Sequence, residues 1–390
     1  MSQRTVVRAA ITIALIGTLA ASAWAADAVA AVVGVEPPSD RTLTGQFEGK
    51  VGREIRANFG FGPIGYAIAE KYRYFVDDPG KAEMGEGYIG MPGPSSANWY
   101  HGGFMFIRVN GHDMPVPATS MMAVESGERA IMDMVWHDPS AIVRARFFGL
   151  PGNNWLGCEV TIDPLEEITS VGIMLRCYPS FFTSARKRVG ARRIETPSTH
   201  VEEGTPAEGS LADNWWGFYY DEVFDVAKGE GAGPCAMLTL PIEEASIKHA
   251  PGGYSVETHI NYPPETRTLH FAFWDYKGIT NADALVDLQG QADAVRATLE
   301  TVDLTPAAIT EFDVAGVRQS LEEALASEDA QEALADRIDE IQRWVRETAP
   351  ELEQADGAPG VAAQEKLLKS IDEYNSFKWE VKLIKLIYDL

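Results

Sequence analysis

Cysteine is scarce. Three residues in 390, Cys158, Cys177 and Cys235, exclude a disulfide-dense scaffold and any four-cysteine zinc site. Positive charge is also in deficit: 33 Lys and Arg face 57 Asp and Glu, a formal net charge of -24. A field of that sign repels phosphate, which argues against nucleic acid or anionic lipid as a non-specific partner. No phosphate-binding P-loop, Rossmann glycine fingerprint, H-E-x-x-H pair, EF-hand loop or G-x-S-x-G elbow occurs. The seven histidines, His101, His112, His137, His200, His249, His259 and His270, are scattered, with no i, i+4 pair. The expectation is therefore no metal site and no cofactor. With 45% apolar and 23% charged residues, the chain is nevertheless globular in composition.

The first 25 residues read as an address. Arg4 and Arg8 precede an apolar run from Ala9 to about Ala21, and Ala23-Trp24-Ala25 forms a small-x-small cleavage site. This is the layout of a Sec-type signal peptide cut after Ala25, too short for the ~20 residues of a spanning helix. The expectation is a bacterial exported protein, periplasmic or secreted, with no membrane span in the mature chain. In that oxidising compartment Cys158 and Cys177, on consecutive strand-like runs, would be able to bridge. The alternative is that all three cysteines are small buried core residues.

Two textures follow a linker at 26–40. Over 41–304 the pattern is mainly β. Phe104–Val109, Asn110-Gly111 and His112–Val116 read as a hairpin with a type I′ turn. Further strands are expected at 71–76, 130–136, 141–148, 156–162, 171–178, 215–224, 236–240, 246–249, 254–262 and 267–274, with Pro251-Gly252-Gly253 as a turn. Short connections rich in Gly, Pro and Asn leave little room for crossover helices, so a large antiparallel β-sandwich is expected. A helix from Asn281 to about Leu299 closes this domain, and 183–213 reads as a long polar loop. Residues 305–390 form an acidic helical tail with 19 acidic and 9 basic residues, a net of -10. Leu334, Ile338, Ile341 and Val345 mark one helix, ended by Pro350. Leu367, Ile371, Tyr374, Phe377, Val381, Ile384 and Tyr388 mark another, at a mean step of 3.5, which calls for a packing partner.

The most suggestive chemistry lies in Asp213–Glu222. On a strand, Trp215, Gly217, Tyr219 and Asp221 share one face and Trp216, Phe218, Tyr220 and Glu222 the other. Aromatics beside a carboxylate suit a sugar; the alternative is a central strand buried on both faces. Asn154 and Trp155, and Trp99 with His101, place polar groups beside tryptophan in loops. Trp136-His137-Asp138 sets an imidazole beside an acid at a strand end, equally readable as a turn. Arg186, Lys187, Arg188, Arg192 and Arg193 form a basic cluster, either a collar for a uronate, sulfate or phosphate or a solvated run.

An exported chain with many antiparallel strands over 41–299 and aromatic-rich rims resembles the galactose-mutarotase-like β-supersandwich in layout. That resemblance implies a supersandwich fold and sugar ligands. The family's His-x-aromatic-aromatic-Asn motif is not matched by His259-Ile-Asn-Tyr-Pro263, so no catalytic residue comes with it. The functional expectation is a carbohydrate-interacting protein, with lyase, epimerase or hydrolase chemistry as an option. Its candidate bases are Asp221 and Glu222 and its candidate acids His101 and His137. Ligand contacts are expected from Asn154, Trp155, Trp215, Trp216, Tyr219, Tyr220, Arg186 and Arg188. The alternative is an envelope scaffold whose helical tail binds a protein partner or self-associates.

Overall fold

The computed structural model describes residues 30–75, 78–82, 87–181, 189–252, 254–355 and 360–388. Two large antiparallel sheets face one another. One has 12 strands, ordered Val32–Val35, Lys50–Gly60, Tyr66–Phe75, Tyr88–Gly93, Met105–Val109, Val171–Cys177, Val256–Tyr262, Ser246–Pro251 and Ala207–Ser210. Ser39–Thr42, Asp78–Ala82 and His112–Asp113 pair at its sides. The other has nine strands, ordered His200–Glu202, Arg192–Glu195, Trp216–Asp221, Cys235–Thr239, Thr268–Asp275, Leu156–Pro164, Ala141–Gly149, Ala130–His137 and Ser120–Glu125.

Alternation decides what each face does. Ile68, Ile107, Ile173, Leu175 and Ile260 of the larger sheet meet Met132, Val143, Phe147, Val160 and Phe271 of the smaller one in a continuous buried core. Asn110 and Gly111 adopt φ of 52° and 81°, the left-handed pair that a type I′ hairpin needs. The three cysteines are buried and free. Cys158 belongs to the smaller sheet and Cys177 to the larger, so the bridge considered from sequence does not form; burial pushes the Cys158 thiol up.

The segment read as linker contains Val32–Val35, which pairs with the long strand Lys50–Gly60; its run of valines suits a strand at the sheet edge. The described part of the polar loop, 189–213, holds three short strands, Arg192–Glu195, His200–Glu202 and Ala207–Ser210. His200–Glu202 and Ala207–Ser210 are edge strands of the two sheets, where one side of the strand meets water, and Arg192–Glu195 lies one strand in, with Arg192 and Ile194 buried.

The helix Asn281–Thr301 is capped by the Thr280 hydroxyl, which accepts from the Asp283 amide. Ala284, Leu288, Ala292, Val295 and Leu299, at steps of 4, 4, 3 and 4, pack on the outer face of the nine-stranded sheet against Trp216, Phe218, Leu238 and Trp274. The tail builds its own core. Leu321, Leu334, Ile341, Trp344, Leu352, Phe377, Val381 and Ile384 are buried together, so the 3.5-period seam is spent mainly inside the tail. Pro350 does not end a helix: it lies inside a continuous helical stretch from Ile338 to Ala355, directly after a π-helical segment at Trp344–Thr348, the kind of local loosening that accommodates a missing N–H. The last helix, Val361–Tyr388, begins against the sandwich and buries Phe377, Val381 and Ile384 in the tail's core. No described helix is long and apolar enough to cross a membrane.

Candidate functional site

The strand Trp216–Asp221 is covered on both faces. Trp216 and Phe218 pack beneath the 281–301 helix, and Tyr219 enters the inter-sheet core, where its hydroxyl meets Thr258 Oγ1 at 3.0 Å. Trp215 carries the Arg296 guanidinium 4.7 Å from its ring centre. Asp221 is wholly buried and accepts from the backbone amides of Ala191, Val223 and Phe224, so it shapes a turn. Glu222 pairs with Arg193 at 3.1 Å. The Tyr220 hydroxyl donates to Glu195. These aromatics fill space in two cores, the outcome that a strand apolar on both faces favours.

The other expected contacts also hold the fold. Asn154 bridges Trp274 Nε1 and Asp287 of the 281–301 helix, and Trp155 packs edge-on to Phe148 in the same layer. His137 points at the tail and contacts Glu365 at 2.6 Å. Arg186 and Arg188 lie outside the described residues. Of the candidate acids and bases, Asp221 is buried, Glu222 and His137 are solvent-exposed but held against Arg193 and Glu365, and His101 sits on an open sheet face.

That face is the outer side of the 12-stranded sheet. Strand register aligns outward side chains from distant parts of the sequence: Glu54 opposite Lys71, Lys71 opposite Tyr88, Phe106 opposite Met174, and Met174 opposite His259. The pairing of Ile89 with Met105 continues the row from Tyr88 to Phe106. The 94–104 loop crosses this sheet at Gly90, where a Cβ would lie 2.0 Å from the His101 carbonyl oxygen. Glycine is therefore required for the loop to seat His101 over the face.

At one end of the row is a cleft of about 250 Å³, lined by Ser39, Arg41, Leu43, Gly52, Glu54, Lys71, Arg73 and Tyr88 among others. Its wall is braced by Arg53, which donates two hydrogen bonds to Asp40 at 2.7 and 2.8 Å and holds that carboxyl at about 2. Lys71 Nζ lies 3.0 Å from Glu54. His101 Nδ1 is 3.4 Å from Lys71 Nζ, and its Nε2 is 3.5 Å from Glu54. Burial first, and the Lys71 charge next, lower the His101 pKa, so the ring is neutral at pH 7. The Arg73 guanidinium stacks 3.9 Å over Phe47.

Further along, Arg176 sits 5.2 Å from the Phe106 ring centre and 3.0 Å from Glu257, which His259 also approaches at 3.4 Å. Beyond Arg176 the rings of Tyr100, Tyr178 and Tyr254 meet edge to face at 4.6 and 4.9 Å. The sequence reading named none of Glu54, Lys71, Tyr88, Phe106 and Arg176 as site residues, and weighed His259 only as an unmatched motif position. Their one local signal is an outward position on a strand whose inward positions are mostly apolar. Among the described residues no group of three or more His, Cys, Asp or Glu side chains is placed to hold a metal ion.

No family model and no curated protein matches the chain. Solved structures of similar shape include a quadruple mutant of the α-N-acetylgalactosaminidase NagBb from Bifidobacterium bifidum, at 12% identity and a TM-score of 0.38, covering 68% of this chain and 42% of that one. A GH36 α-galactosidase from Geobacillus stearothermophilus matches at 7% and 0.33, covering 56% of this chain and 39% of that one. A Klebsiella pneumoniae protein assigned as an aldose 1-epimerase matches at 7% and 0.33, covering 71% of this chain and 99% of that one. The chain thus spans about two fifths of the first two. No residue role and no family is carried over from any of them.

Proposed function

We propose that this is an exported carbohydrate-interacting protein that binds an anionic saccharide on the outer face of its 12-stranded sheet. One observation carries the reading. In a chain of net charge -24, Arg41, Lys71 and Arg73 converge on one cleft beside the Tyr88 ring. Cations recognise carboxylate or sulfate, an aromatic ring stacks on the apolar face of a sugar, and Glu54 accepts from its hydroxyls. Export rests on the charged, apolar and cleavage-like pattern of residues 1–25.

Calorimetry and thermal shift with oligogalacturonate, heparin fragments and cello-oligosaccharide test the reading. A ligand at 100 times its dissociation constant stabilises by ~2.7 kcal/mol. The acidic sugars are expected to shift the transition and the neutral one to leave it in place. Lys71→Met and Tyr88→Ala are expected to abolish the shift. Absence of any shift, or shifts that survive both substitutions, would overturn the proposal.

A second reading, assembly through the tail, is favoured by a separate observation. Trp379, Leu383, Leu386 and Ile387 remain exposed along the last helix, at steps of 4, 3 and 1 that share one side. If a second copy covers this stripe, light scattering will show a dimer and Leu386→Glu will return it to monomer. A monomer at all concentrations removes this reading.

A further inference from the structure

On the reading that this face binds an anionic saccharide, we infer that the ligand is an extended polymeric chain lying across the strands, with the cleft as one subsite of several. The register carries the inference. Lys71, Tyr88, Phe106, Met174 and His259 take outward positions on five successive strands in a single row, with Met174 itself buried between its neighbours. At a spacing of ~4.8 Å between neighbouring strands, the row from Lys71 to His259 spans ~19 Å, several times the reach of one sugar ring. Its chemistry repeats along that length. Lys71 stands at the cleft end, the Tyr88 and Phe106 rings follow, and Arg176 and His259 stand at the far end, held near Glu257. A linear polyuronate presents a matching series, with carboxylates at intervals and apolar ring faces between them. A monosaccharide seated in the cleft would leave Phe106, Arg176 and His259 without a role in binding. An acidic peptide supplies the charges but lacks flat apolar rings to meet Tyr88 and Phe106 in sequence.

The test measures affinity by calorimetry for galacturonate, its dimer and long oligogalacturonate, with polyglutamate as the peptide control. Phe106 and His259 are only partly covered, and neither is in the cleft lining. Phe106→Ala and His259→Ala are therefore expected to fold, which thermal melting checks. The long oligomer is expected to bind at least roughly tenfold tighter than the monomer. The two substitutions together are expected to remove that advantage while monomer affinity is retained. Equal affinity for monomer and oligomer, or a length advantage that survives both substitutions, overturns the extended site and leaves the cleft reading standing. Polyglutamate binding as tightly as the long oligomer overturns the choice of saccharide. Failure of every acidic sugar to bind the folded protein overturns the cleft reading, and this inference with it.

Discussion

His137 Nε2 lies 2.6 Å from Glu365 Oε2, joining the end of a sandwich strand to the first turns of the last tail helix. Ser120 and Lys369 reach the same carboxylate, and Arg144 donates to the neighbouring Gln364. The imidazole that the sequence offered as a catalytic acid is thus a docking contact. Burial would raise the Glu365 carboxyl, but Lys369, Ser120 and His137 outweigh it and hold the pKa below its ordinary 4.5. A depressed carboxyl stabilises the folded state above the unfolded pKa and loses that contribution as pH falls through the folded one. Glu365→Gln is expected to cost about 1–3 kcal/mol at pH 7 and less at pH 3, read by chemical denaturation at the two pH values. Equal cost at both would remove the charge from the account.

Glu70 behaves in the opposite sense. It is buried on the inward side of its strand and accepts from the Ala118 amide. Burial raises its pKa from 4.5 to about 7. Between those values the folded state holds a proton that the unfolded chain has released, so stability falls as pH rises through this window. The full effect is on the order of 3 kcal/mol. Glu70→Gln keeps an oxygen for the Ala118 amide and removes the titration. The variant is expected to lose less stability than the parent between pH 5 and pH 8. An unchanged slope would assign the pH dependence elsewhere, with Asp275, raised to about 6 by burial, the next group to replace.

Local pattern carried the architecture and stopped short of the site. Alternating apolar residues reveal the strands, and Asn110-Gly111 reveals its hairpin, because those signals depend on neighbours in sequence. The 216–221 strand shows why the surface was harder to read. Its aromatics occupy both parities, so the pattern itself cannot distinguish a ligand platform from double burial; that depends on where the 281–301 helix docks. The row from Lys71 to His259 is assembled from five strands across 189 positions of sequence. Each member is an ordinary outward residue until pairing brings it beside the next. His101 was visible as a polar loop residue beside Trp99 and Tyr100, but its seat depends on Gly90, eleven positions earlier and on another element.

The cleft gives a prediction about roles within it. Arg53 braces the wall through Asp40 and Tyr74, whereas Lys71 opens onto the cavity. Asp40→Ala is expected to weaken anionic saccharide binding less than Lys71→Met does, and to lower thermal stability more. If Lys71→Met changes stability as much as Asp40→Ala and leaves affinity untouched, Lys71 is a structural partner of Glu54 and the ligand lies elsewhere.

A buried ion pair lies on the opposite sheet. Arg146 donates to both oxygens of Asp133 at 2.7 Å and to the Leu304 carbonyl at 2.7 Å, all buried. This ties the segment after the 281–301 helix to the sheet it covers, at the point where the tail begins. Burial opposes the Arg146 charge, and Asp133 overcomes that opposition. Removing one partner strands the other charge in a low-dielectric layer, which costs about 3–5 kcal/mol, whereas replacing both with apolar side chains avoids that penalty. Arg146→Met and Asp133→Leu are each expected to be strongly destabilising, and the double variant milder than either. Urea unfolding of the four proteins measures the coupling directly. Additive costs would mean that water reaches the pair, and that the segment at Leu304 is held by apolar packing instead.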